Sequence, residues 1–231
     1  MQTTKTSNDQ VALTDERITQ PVSRRRFLGY VGATSAIIAT GASCKKNNND
    51  NNGVDLGSGD VGILNYAYAL EQLEAAFYTQ VVASQFTGIT PAELTFMTDI
   101  RDHEIAHREF FKAALAGAAI PGLEVDFSSI NFGSRASVLG TAMAFEDLGV
   151  SAYDGAGYLL KDVNYLLAAG KIVSVEARHA ALIRELVSIN SFLGDQVDAS
   201  SVNISRTPAE VLAIAGPYIK TKINASNLPT G

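Results

Sequence analysis

A doubled pattern of Glu, Tyr and His at helical spacing does most to narrow what this chain can fold into. The first set is Glu71, Tyr78, Glu104 and His107; the second is Glu146, Tyr153, Glu176 and His179. In each set a lone Glu has a Tyr seven residues on, and a Glu-x-x-His quartet follows about thirty residues after the lone Glu. Three residues turn an α-helix by about 300°, so each quartet presents its Glu and His on one face, one turn apart. Seven residues make nearly two turns, so each lone Glu shares its face with its Tyr. A single Glu–His pair at this spacing is a routine solvated contact on a helix surface. These four Glu, however, lie in apolar stripes. Leu64, Ala67 and Ala75 share the face of Glu71, and Met97, Ile100 and Phe111 that of Glu104. Leu139, Ala142 and Val150 accompany Glu146, and Ala169, Ile172 and Ile183 accompany Glu176. The pattern predicts four helices that turn carboxylates inward.

The boundaries of those helices are marked. The first is expected from about Gly62 to Ser84. Thr90-Pro91-Ala92-Glu93 opens the second with an N-cap, a Pro at the first helical position and a capping-box Glu; this helix ends near Gly117, with Pro121 beyond. About seventeen residues then run from Gly117 to Gly133, with Pro, Gly, Asp and Ser throughout. A connection of that length is uncommon inside a compact domain. It suits a bundle whose second and third helices are parallel and joined by a crossover along its length. The third helix is expected to start near Ser134 and the fourth near Val163. After a polar tail beginning about Gly194, Thr207-Pro208-Ala209-Glu210 opens a short helix to about Ala215. The expected fold class is all-α: a four-helix bundle with a long crossover between its second and third helices and a short C-terminal helix.

Four carboxylates and two imidazoles converging from four helices make the ligand set of a dinuclear metal centre. Left bare in a core, the carboxylates would repel one another and pay for desolvation. Two divalent cations cancel their formal charge. Glu71 and Glu74 compete for the role on the first helix, and the two halves of the chain decide between them. Ala69-Leu70-Glu71 through Tyr78 aligns with Ala144-Phe145-Glu146 through Tyr153, which places Glu71 opposite Glu146 and Glu74 opposite Gly149. The expected ligands are therefore Glu71, Glu104, His107, Glu146, Glu176 and His179, with Glu74 beside them or at the surface. Tyr78 and Tyr153 are either ordinary core aromatics or hydrogen-bond donors to ligand carboxylates, and their matched positions favour the second reading. His103 points about 100° away from Glu104 on its helix and is expected at the surface or against a ligand, not as a ligand itself.

The chain has 231 residues, 46% of them hydrophobic, and a net charge of −6, which suffices for one sizeable core and lacks the basic footprint of a nucleic-acid binder. Its basic run lies near the start. Ser23-Arg24-Arg25-Arg26-Phe27-Leu28 leads into a weakly apolar stretch that ends at Ser43. Arg24 and Arg25, followed by x-Phe-Leu, resemble a twin-arginine export signal over residues 1–43. The alternative, a membrane anchor, would need a span of roughly 20 apolar residues, and this stretch is shorter. The sole cysteine, Cys44, follows Ala42-Ser43. That resembles a lipoprotein cleavage box with Cys44 as the lipidated residue, although Gly41 departs from its usual bulky aliphatic; ordinary signal cleavage nearby is the other reading. Residues 44–60 read as a polar tether and 61–231 as the bundle with its C-terminal extension.

On the four Glu and two His, the chain resembles the ferritin-like superfamily. Leu70-Glu71-Gln72-Leu73-Glu74-Ala75-Ala76-Phe77-Tyr78 together with the leader resembles bacterial exported ferritin-like domain proteins related to plant desiccation-associated proteins. The resemblance implies two Fe or two Mn ions and redox chemistry of the ferroxidase, peroxidase or catalase type. The partner would be a small-molecule oxidant or ferrous iron. No nucleic acid is expected, a membrane enters only through a lipid anchor, and a homo-oligomer is compatible. With one Cys there is no rubredoxin-like iron site, so a rubrerythrin-style electron supply is not expected. The competing reading is a stress or envelope protein whose metal centre is structural.

Overall fold

The structure, a computed structural model, describes residues 53–230. The leader with Arg24 and Arg25, and Cys44 with the start of the tether, lie outside the described residues. The elements in order are β1 (Val54–Asp55), α1 (Gly59–Ala83), α2 (Pro91–Leu115), α3 (Arg135–Ala156), α4 (Val163–Val187), α5 (Pro208–Ala215) and β2 (Ile223–Asn224). The all-α bundle expected from the sequence is the observed fold.

The caps act where the sequence places them. Thr90 accepts from the Glu93 amide while Glu93 reaches back to the Thr90 amide, and Thr207 and Glu210 repeat the device on α5. Ser134 and Asp162 accept from amides in the first turns of α3 and α4. Each such bond satisfies a donor that the helix itself leaves unpaired.

α1 packs most extensively on α2, and α3 on α4. Tyr78 of α1 meets Glu146 of α3, and Tyr153 of α3 meets Glu71 of α1, so α1 and α3 run antiparallel. Because α1 and α2 form one hairpin and α3 and α4 another, α2 and α3 must run parallel. The chain between them therefore has to travel the length of the bundle. Two buried amides on α1 hold it there. Asn65 donates to the Leu56 and Ala118 carbonyls and accepts from the Ile120 amide; Gln72 accepts from the Leu123 amide at 2.8 Å.

Two features differ from the sequence reading. The polar tether does not extend to residue 60. Val54 pairs with Ile223 in a parallel two-stranded sheet, and Leu56 is wholly buried. α1 starts at Gly59, three residues early. The cause is tertiary: β2 returns from the far end of the chain and gives this short segment a partner that its own composition could not announce. α1 is also more than a one-sided apolar stripe, since every residue from Gly62 to Ala75 is buried. The crossover and the C-terminal segment cover the faces that a plain bundle leaves wet. Among the described residues, no helix is long and apolar enough to cross a membrane.

Candidate metal centre

One carboxylate from each of α1 to α4 and one imidazole from each of α2 and α4 meet in the middle of the bundle. Glu71, Glu104 and Glu146 are wholly buried, and Glu176 is 1% and His179 4% exposed. The side-chain atoms fall into two groups. Glu71, Glu104, His107 and Glu176 form one, and Glu104, Glu146, Glu176 and His179 the other, each with its nearest ligand atoms within 4.8 Å of one another. Nδ1 of His107 lies 2.8 Å from Glu176 Oε1, 3.5 Å from Glu71 Oε2 and 3.6 Å from Glu104 Oε2. Nδ1 of His179 lies 2.8 Å from Glu104 Oε1, 3.2 Å from Glu176 Oε2 and 3.5 Å from Glu146 Oε2. Glu104 and Glu176 thus turn one oxygen toward each group.

His179 Nδ1 and Glu176 Oε2 make a hydrogen bond at 3.2 Å, but most of the other atoms are close without being paired. Glu71 Oε2, both Glu104 oxygens, Glu146 Oε2, Glu176 Oε1 and His107 Nδ1 are buried and make no hydrogen bond of acceptable geometry. Lone pairs aimed at a shared point, not at each other, are what an ion between them requires, and buried oxygens rarely stay unpartnered otherwise. The donor set fits a pair of cations.

The opposite oxygens of the two lone carboxylates are fixed. Tyr78 Oη donates to Glu146 Oε1 at 2.5 Å, and Tyr153 Oη donates to Glu71 Oε1. Burial, and then the charge of the carboxylate each one faces, hold both phenols well above the usual tyrosine range, so they stay protonated and act as donors. His103 Nδ1 lies 2.9 Å from His179 Nε2, with the two rings nearly parallel. Burial and then its histidine neighbours hold His103 below the usual imidazole range, which keeps it neutral and able to accept from His179 Nε2–H. That bond leaves His179 Nδ1 to face the carboxylates.

Without cations, protons balance the cluster. Burial favours neutral imidazole, but Glu104, Glu176 and Glu71 outweigh it at His107 and hold that group well above its ordinary range. Burial is likewise outweighed by Glu104, Glu146 and Glu176 at His179, which is pushed up to about 12. Burial and then Glu176 push Glu104 up to about 8, whereas the two imidazoles overcome burial at Glu176 and draw it down to about 2.

Glu74 belongs to this core: it is 4% exposed and packs on Gly149 of α3, where a Cβ would come within 3.1 Å of Glu74 Oε1. Burial first, and then the four neighbouring carboxylates, raise it well above the usual range. Sequence reasoning overlooked Arg184, which is 7% exposed and joins Asp147 of α3 to Asp195 beyond α4. Arg184 lies on the buried face of α4, eight residues after Glu176, but its partners sit on α3 and in a loop, and nothing local in the sequence signals such a pair.

An α-helical bundle with a buried cluster of carboxylates and imidazoles able to hold metal ions is the class that this fold and site define. The ferritin-like domain family matches residues 59–188, from the first residue of α1 to the cap of α4, and the chain belongs to that family. No curated protein matches the chain.

Proposed function

We propose that this is an exported ferritin-like protein that holds two iron or two manganese ions and carries out redox chemistry on dioxygen, peroxide or ferrous iron. The observation that carries the reading is the set of unpartnered buried oxygens on Glu71, Glu104, Glu146 and Glu176 between two inward imidazoles. Glu71, Glu104, His107 and Glu176 would hold one ion, and Glu104, Glu146, Glu176 and His179 the other. Carboxylate-rich oxygen and nitrogen ligation suits iron or manganese. When bound, such a pair supplies the two-electron change that an O–O bond needs.

The protein's own part is positioning. Glu104 and Glu176 span the two halves, which keeps the two sites at one separation. Tyr153 and Tyr78 each hold one oxygen of Glu71 and Glu146 and so leave the other directed at the centre. His103 orients His179 through its far nitrogen. The apolar surroundings keep bulk water away and strengthen every charge interaction inside.

Two measurements test this. Metal-free protein loaded anaerobically is expected to retain close to two Fe or Mn per chain by elemental analysis, and Glu104→Ala with His107→Ala to lose at least one. Exposure of the Fe(II) form to dioxygen or peroxide should then consume oxidant faster than free Fe(II) does. Wild-type protein that retains neither metal would remove the assignment. Retention without faster consumption would favour a structural centre.

A further inference from the structure

The two halves of the centre are alike in ligands but not in cover. On the Tyr78 side the bundle is plugged. Phe77 stacks edge-on against Tyr78, Phe127 and Phe145 and lies tilted against Phe132, while Tyr218 closes on Phe145. Phe127 and Phe132 come from the crossover and Tyr218 from the C-terminal segment, so the chain outside the four helices seals this flank. Tyr78 is wholly buried. Tyr153, its counterpart, is only half-buried. It lines a cleft of about 20 Å³ whose walls are apolar, among them Ile63, Ala67, Leu70, Phe111 and Ala156. Gly157 and Leu160 also line it, and Leu166, which lies against Gly157, is exposed.

Two properties define what such a cleft admits. Its volume of about 20 Å³ suits a molecule of a very few heavy atoms, so a larger organic substrate does not fit. Its walls offer a hydrated cation nothing to replace its water, which makes passage of Fe(II) costly.

We propose that this cleft is the route by which a small uncharged oxidant, dioxygen or hydrogen peroxide, reaches the Glu71–Tyr153 flank of the centre, and that ferrous iron does not use it. The inference rests on the dinuclear reading for its destination, but not for the cleft itself. Of the two oxidants the lining favours dioxygen, because peroxide would give up hydrogen bonds that apolar walls cannot replace.

Xenon probes the cleft without metal or turnover, since small apolar cavities bind it. In metal-free protein, xenon under pressure is expected to shift the methyl resonances of Ala67, Ala152 and Ala156. Ala156→Leu, which fills the cleft, should abolish those shifts, and Leu160→Trp at another lining position replaces it if the first variant folds poorly. In Fe(II)-loaded variants of unchanged metal content, stopped-flow oxidation by dioxygen should slow by about tenfold. Slowing with dioxygen alone identifies it as the traveller, and slowing with peroxide as well identifies both. Absence of xenon from the cleft, or metal-loaded variants that react with both oxidants at the wild-type rate, overturns the route. A wild-type protein that takes up xenon here but retains no metal would instead remove the dinuclear reading and leave the cleft standing.

Discussion

At the scale of single residues, the centre is a balance between protons and cations. In the metal-free protein His107 and His179 are held protonated by the carboxylates around them, and burial with Glu176 keeps a proton on Glu104 up to about pH 8. The folded state then binds more protons than the unfolded chain at neutral pH, so stability must fall as pH rises. For the imidazoles this contribution is complete below the unfolded histidine value and is lost toward about 12 for His179. Thermal unfolding of metal-free protein is therefore expected at lower temperature at pH 9 than at pH 6. Uptake of Mn(II) has to displace those protons. Loading in weak buffer at pH 7 should release protons, and affinity should weaken as pH falls. His103 provides a second test. His103→Ala removes the acceptor from His179 and is expected to weaken one of the two ions by about 10- to 100-fold, leaving the other bound. Competition with a metal-sensitive dye would resolve the two steps. Equal loss at both sites would show that His103 acts on the whole bundle and not through His179.

At the scale of elements, the crossover matters more than its lack of regular structure suggests. Asn65 and Gln72 are buried amides on α1 whose partners are backbone groups of the crossover and of the segment before α1. Asn65→Ala would leave the Ile120 amide and two carbonyls without their partner. A cost of about 1–3 kcal/mol is expected, read as a lower midpoint in urea unfolding. Phe127 and Phe132 of the same crossover pack on Phe77, so the variant is also expected to loosen the seal on the Tyr78 flank. Hydrogen exchange of the α1 amides around Phe77 would report it.

At the scale of the whole molecule, the expected export route agrees with a centre that needs a finished bundle. Each group of donors draws on three helices and the pair of groups on all four, so both are complete only in a finished bundle, and a twin-arginine route carries folded cargo. Arg24→Lys with Arg25→Lys is expected to leave precursor in the cytoplasm, and Cys44→Ala to release the protein from the membrane fraction. Fractionation and immunoblotting check both. Unchanged export in the double variant removes the twin-arginine proposal, and membrane retention without Cys44 points to a helical anchor.

The sequence by itself determined the helices and which of their residues turn inward, because both depend on local rules. Capping boxes at Thr90 and Thr207 satisfy amides within their own helix, and the 3.6-residue period places Glu104 beside His107 without reference to any other segment. The doubled pattern also determined that four such faces would converge, and the long crossover that the middle pair would be parallel. The tertiary structure decided everything that depends on distant segments meeting. The internal repeat paired each Tyr with the Glu of its own half in position. The antiparallel packing of α1 on α3 instead hands Tyr78 to Glu146 and Tyr153 to Glu71. His103 finds His179 across the α2–α4 contact, and Arg184 finds Asp195 in a loop. Leu56 is buried because β2 arrives from near the C-terminus. The difference between a wholly buried Tyr78 and a half-buried Tyr153 arises from segments that lie outside the repeat. Local periodicity carries no information about what such segments cover, since burial of one residue is then set by side chains more than fifty positions away.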